Sequence, residues 1–70
     1  LSMNWISTKE KYPEVGNGLL LINSIDEYDA GVLVAFRVKD GFSNALYGAD
    51  DFIEEKYVTH WAYLPTPPKD

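Results

Sequence analysis

Apolar and polar positions alternate most clearly from Val32 to Lys39. Val32, Val34, Phe36 and Val38 share one side of an extended chain, and Leu33, Ala35, Arg37 and Lys39 share the other. The second side passes from apolar to charged along its length, the pattern of a strand leaving a core. Asp40-Gly41 follows, with Phe42 next. Asp-Gly between β-rich runs predicts a hairpin whose type I′ turn takes positive φ at both residues. The partner strand is then expected from Phe42 to about Tyr47. A second alternation runs from Tyr57 to Leu64, with Tyr57, Thr59, Trp61 and Tyr63 opposed to Val58, His60, Ala62 and Leu64. Pro65 ends it, and Pro67-Pro68 hold the tail extended.

Other segments carry shorter signals. Leu19-Leu20-Leu21-Ile22 is a continuous apolar run between turn signals, and its length favours a strand over a buried helix. Asn4 to Ser7 reads as a strand or extended arm. Ser7 and Glu10 have capping-box spacing, which permits one helical turn before Pro13 turns Tyr12 away from helix. Gly16-Asn17-Gly18 is turn chemistry and lacks the pattern of a phosphate-cradling loop. Asp26-Glu27-Tyr28-Asp29-Ala30-Gly31 reads as an acidic connection. Gly48 to Lys56 allows two readings: a short helical turn capped by Asp51, or an ordered acidic loop. The sum is a mainly β domain: a small curved antiparallel sheet or partial barrel of three to five strands, with at most one short helix. A flat single layer would leave one apolar face wet.

Length and composition limit what such a domain can be. Seventy residues make one domain, expected over residues 4–69. Leu1-Ser2 precede Met3, expected as the natural start, and are set aside as an expression remnant. There is no cysteine, which excludes disulfides and thiolate metal sites. No run approaches the ~20 apolar residues of a membrane helix. The ten aromatic side chains are the remaining reserve of buried area. Trp5 and Trp61 are expected to anchor the core and join the two ends of the chain, the alternative being a binding platform. Tyr12, Tyr28, Tyr47 and Tyr63 fall near loops or strand ends and are expected at the surface.

The net charge of −5 is unevenly spread. Between Ser24 and Glu55, eight acids (Asp26, Glu27, Asp29, Asp40, Asp50, Asp51, Glu54, Glu55) face only Arg37 and Lys39, a net −6. This stretch is read as solvated loops or as an acidic face for a basic partner. The sharper reading puts binding on Asp26, Glu27, Asp29, Asp50, Asp51, Glu54 and Glu55, with Tyr28 and Tyr47. Direct nucleic-acid binding is not expected from a pI near 4.6. Asp50-Asp51 and Glu54-Glu55 could offer oxygens to a divalent cation, but neither follows a calcium-loop pattern, and no metal or cofactor is expected. His60 is the single histidine; no motif selects a nucleophile beside it, so its expected role is structural, bonded to backbone or a carboxylate. Pro13, Leu64 and Pro65 are also assigned structural roles. Pro65-Thr66-Pro67-Pro68 resembles a minimal proline-rich ligand but is expected to pack on an aromatic such as Trp5.

Two blocks carry a family resemblance. One is Trp5-Ile6-Ser7 with Pro13 and Gly16; the other is Val58-Thr59-His60-Trp61-Ala62-Tyr63-Leu64-Pro65 with Pro67-Pro68-Lys69. Between them lie Ala35 in its alternating strand and Phe42 after a turn. This order resembles the domain of unknown function 551 family, small proteins common in bacteriophages and prophages. Thr59-His60-Trp61 with Leu64-Pro65 and Pro67-Pro68 is its most specific part. Lys11-Tyr12-Pro13 and Ala62-Tyr63 depart from the family pattern, and the acidic stretch Ala49 to Lys56 has no clear counterpart there. The resemblance implies a phage or prophage origin and no particular reaction. The expectation is a non-catalytic accessory protein in the host cytoplasm, a monomer or weak homo-oligomer. It would bind a protein, such as a host defence or nucleic-acid-handling factor with a basic groove. The alternatives are a β module that self-associates through an open sheet edge, and a small hydrolase or metal-dependent enzyme using His60.

Overall fold

A computed structural model describes residues 4–16, 18–47, 51–65 and 67–68. The strands are β1 (Ile6–Ser7), β2 (Leu19–Ile25), β3 (Ala30–Val38), β4 (Gly41–Asn44), β5 (Phe52–Glu54) and β6 (Val58–Tyr63), with a 3-10 turn over Glu55–Tyr57. All pairings are antiparallel, in one open sheet of order β1-β6-β2-β3-β4-β5. Among the described residues the expected three to five strands are therefore six. The extra one is β5, whose three residues are too few to show a period. The helical turn suspected at Asp51 falls instead at Glu55–Tyr57, because Phe52-Ile53-Glu54 pair with β4. The strand expected to reach Tyr47 stops at Asn44, where the chain turns through Ala45–Tyr47.

The sheet is curled. In a flat sheet β5 and β6, four positions apart, would lie about 19 Å from each other. Four Cα steps from Glu54 to Val58 span at most about 14 Å. The connection closes only if the edges bend toward each other, and it crosses the inner face, where Tyr57 packs on the core. Cross-strand register defines that face: Ile6, Trp61, Ile22 and Leu33 form one row, Leu20, Ala35 and Asn44 the next, and Arg37, Phe42 and Ile53 the third. Leu20, Ile22, Ala35, Phe42, Ile53, Val58 and Trp61 are buried there. Each large side chain contributes about 1.5–3 kcal/mol.

Trp61 is the centre of this core. Its indole Nε1 donates to the Lys11 carbonyl at 2.9 Å, and its ring meets Tyr63 edge-on at 5.2 Å. That bond ties the long β1–β2 loop to the last strand. The loop begins with one hydrogen-bonded turn, where Glu10 N donates to Ser7 O and Lys9 N to Ser7 Oγ; the Ser7 hydroxyl thus accepts from Lys9 and not from Glu10, the partner that capping-box spacing predicts. Gly16 and Gly18 both have φ of 82°, the left-handed backbone expected of that turn. Pro13 is buried, and its carbonyl accepts a bond from Arg37 Nε.

Arg37 does not leave the core as its charge suggests. Nη1 donates to the Gly41 carbonyl and Nη2 to Glu55 Oε2 at 2.9 Å, while the guanidinium stacks near the Tyr12 and Phe42 rings. The hairpin turn also differs from expectation. Val38 pairs with Gly41, so Lys39 and Asp40 are the central residues, and of the two only Asp40 has positive φ, 63°. Gly41 is required for a different reason: a Cβ there would collide with the Ile53 carbonyl oxygen and the Phe52 ring.

Candidate functional site

The acidic residues separate into two groups. The first lies at one end of the sheet, where the β2–β3 loop meets the loop after β4. Asp26 N donates to the Ser24 hydroxyl, and Asp26 Oδ2 accepts from Tyr28 N, both at 3.1 Å. These local bonds replace strand pairing and fix the turn. Asn44, buried at the end of β4, donates through Nδ2 to Asp29 Oδ1 at 3.1 Å and accepts from Leu46 N through Oδ1 at 3.0 Å. Asn44 N also donates to the Asp51 carbonyl. One amide side chain thus holds both loops together.

Asp51 completes this group. Desolvation holds its carboxyl above the ordinary carboxylate value of 3.8. The hydrogen bond and charge of Asp29 and the charge of Asp26 push in the same direction, and a bond with Asn44 opposes them. Its Oδ2 is shut off from water and, among the described residues, has no hydrogen-bond partner. Among the described residues no lysine or arginine pairs with Asp26, Asp29 or Asp51, and no group of three or more such side chains is arranged to hold a metal ion. Beside these acids stand three large exposed side chains: Tyr28, Leu46 and Tyr47 are 87%, 79% and 72% exposed. Glu27, also exposed, lies in the same loop as Tyr28.

The second group is elsewhere and is internally compensated. Glu55 is paired with Arg37, and Glu54 lies 3.9 Å from Lys56. The structure therefore joins Asp26, Asp29 and Asp51, with Glu27, Tyr28 and Tyr47 alongside, and separates Glu54 and Glu55 from them. Asp50 lies outside the described residues. Asn44 and Leu46 belong to the site and were not singled out from sequence. The one available signal was Asn44 itself, a polar side chain inside the run from Phe42 to Tyr47 expected as a strand.

The remaining candidates are placed as follows. Trp61 is in the core, whereas Trp5 is half-buried outside the core cluster. His60 is exposed, and its Nδ1 lies 3.0 Å from the Thr59 hydroxyl, so its partner is neither backbone nor carboxylate. Leu64 is half-buried. Pro65, Pro67 and Pro68 are exposed, so the expected burial of the tail is not seen; Thr66 and Lys69 lie outside the described residues. Tyr12 and Tyr63 are exposed, as their positions near strand ends suggest.

The family model described as "Protein of unknown function (DUF551)" matches residues 4–69. The chain belongs to this family. No curated protein and no solved structure matches it. The DUF551 domain is thus seen here as a curled six-stranded antiparallel sheet. Among the described residues no helix is long and apolar enough to cross a membrane.

Proposed function

We propose that this DUF551 chain is a non-catalytic phage or prophage accessory protein that acts in the host cytoplasm by binding a basic protein surface. The observation that carries this reading is the end of the sheet where Asp26, Asp29 and Asp51 gather around Asn44. Uncompensated carboxylates beside exposed Tyr28, Leu46 and Tyr47 combine long-range attraction for cations with apolar anchors for contact. A host factor with a basic groove fits that chemistry, and an acidic protein seated there would compete with nucleic acid for it.

The test compares capture from bacterial lysate by the wild-type domain and by a variant carrying Glu27→Gln, Tyr28→Ala and Tyr47→Ala. These side chains are exposed, so the melting temperature should not change. The expected result is a protein retained by the wild type, released by raised salt and lost from the variant. Equal capture by both would overturn the reading.

A second reading, self-association, rests on the outer face of the sheet. Leu19, Ile25, Val32, Phe36 and Phe52 are all exposed there. Both edges are short, two residues in β1 and three in β5, which favours the face over the edge as the contact. Sedimentation that does not change with concentration would remove this reading.

A further inference from the structure

The two sequence blocks that carry the family resemblance meet in space, and only half of each has a place in the core. β1 pairs with β6 so that Ile6 faces Trp61 and Ser7 faces His60. Ile6 and Trp61 turn inward. Their neighbours Trp5 and His60 instead line a groove of about 320 Å³ with Asn23 and Val32. That volume is at the lower end of small-molecule sites.

A β-bulge shapes the groove. Asn23 pairs with His60 and Ser24 with Val58, leaving Thr59 as the extra residue. Bulges re-aim side chains, and here Thr59 is brought between Asn23 and His60. Asn23 Nδ2 donates to Thr59 Oγ1 at 2.8 Å, and Thr59 Oγ1 lies 3.0 Å from His60 Nδ1. The alternative acceptor for the Thr59 proton, the Asn23 carbonyl, is 3.5 Å away. With the Thr59 proton on that shorter contact, Nδ1 accepts and Nε2–H of His60 is the ring's donor. Asn23 Oδ1 is left as an acceptor. An apolar groove with an indole wall thus presents one donor and one acceptor.

His60 also borders a second hollow, of about 650 Å³, with Ser7, Thr8, Lys9, Lys56 and Thr59. Two of the chain's six cationic side chains gather here, while Arg37 is committed to Glu55. Among the described residues Lys56 is held only by its 3.9 Å approach to Glu54 and a cation–π contact with Tyr57. His60 lines both hollows, one apolar, the other bearing two lysines, of which Lys56 also approaches Glu54.

We infer that this paired groove binds a nucleoside monophosphate. The base stacks on Trp5, and its polar edge meets Asn23 Oδ1 and His60 Nε2. The phosphate lies between Lys9 and Lys56. A free nucleotide suits the site better than a strand, because the chain's net charge of −5 opposes a row of phosphates. The site is distinct from the acidic end proposed for protein binding, and either can fail without the other.

The experiment is a ¹H–¹⁵N NMR titration with adenosine 5′-monophosphate, adenosine, ribose 5-phosphate and a ten-nucleotide single strand. The expected result is a saturable shift of the Trp5 indole N–H and of the His60 ring with the monophosphate, and little movement of the buried Trp61 indole. Adenosine and ribose 5-phosphate should each bind roughly tenfold more weakly, since each lacks one half of the recognition. Lys9→Gln with Lys56→Gln, both exposed positions, should weaken the monophosphate by a similar factor and leave adenosine unchanged. Absence of a saturable shift at 10-fold excess over about 1 mM, the weak limit for such a ligand, overturns the inference. So does equal binding of ribose 5-phosphate, indifference to the lysine changes, or tighter binding of the strand.

Discussion

At the scale of single residues, the least comfortable group is Asp51. Its carboxyl is raised by desolvation and by Asp29, so the folded state resists ionising it. A raised carboxylate stabilises the fold fully below its unfolded value, near 3.8, and loses that contribution as pH rises through the folded value. At pH 7 the ionised Asp51 is a cost. Asp51→Asn should therefore raise the melting temperature at pH 7, and the gain should vanish as pH falls below about 4. A lower melting temperature for the variant at pH 7 would contradict this account. Gly41 gives an opposite case. Gly41→Ala should destabilise by about 1–3 kcal/mol, because the Ile53 carbonyl and the Phe52 ring occupy the space of a Cβ. Thermal melts would show this as a loss of roughly 4–8 °C per kcal/mol. The acids were individually legible in the sequence, but their grouping was not. Asp29 and Asp51 are far apart along the chain, and Asn44, which joins their loops, has no pattern to announce it.

At the scale of elements, the apolar period misleads where a charge is buried. Val32, Val34, Phe36 and Val38 form the more regular apolar set, yet the inner face is Leu33, Ala35 and Arg37. The inner set looks polar only because Arg37 is counted by its charge and not by its bonds. Its guanidinium reaches the carbonyls of Pro13 and Gly41 and the carboxylate of Glu55, linking the β1–β2 loop, β4 and the 3-10 turn. Arg37→Lys should cost about 1–2 kcal/mol, because an ammonium cannot reproduce that planar set. Most of this loss comes from the two carbonyls, since Glu55 is more than one-third exposed and its pair is screened. Urea denaturation of the two proteins measures it, and an unchanged midpoint would contradict it. The long strands were visible because alternation needs length. β5, with three residues, offered none, and the 3-10 turn after it was displaced accordingly.

At the scale of the whole molecule, curvature reconciles a small size with a buried core. One sheet, curled by the short β5–β6 connection, encloses Trp61 and Phe42 on its inner face and leaves an apolar outer face. The composition showed ten aromatics; the register shows that Trp61 and Phe42 build the interior while Tyr28 and Tyr47 stand in solvent. The two proposed uses of the surface respond oppositely to salt. Attraction of the acidic end for a basic partner weakens as salt rises, whereas contact between two acidic copies through an uncharged face strengthens. Val32→Thr with Phe36→Thr should reduce concentration-dependent sedimentation at high salt without affecting capture of a basic partner.

The central claim is that the acidic, tyrosine-bearing end of the sheet is where a protein partner docks. Hydrogen exchange of the domain, free and in complex with its captured partner, tests it most directly. The account predicts new protection at Glu27–Asp29 and Ala45–Tyr47 and none at Leu19, Val32 or Phe36. Protection confined to the outer face, or to the groove between Trp5 and His60, would contradict it.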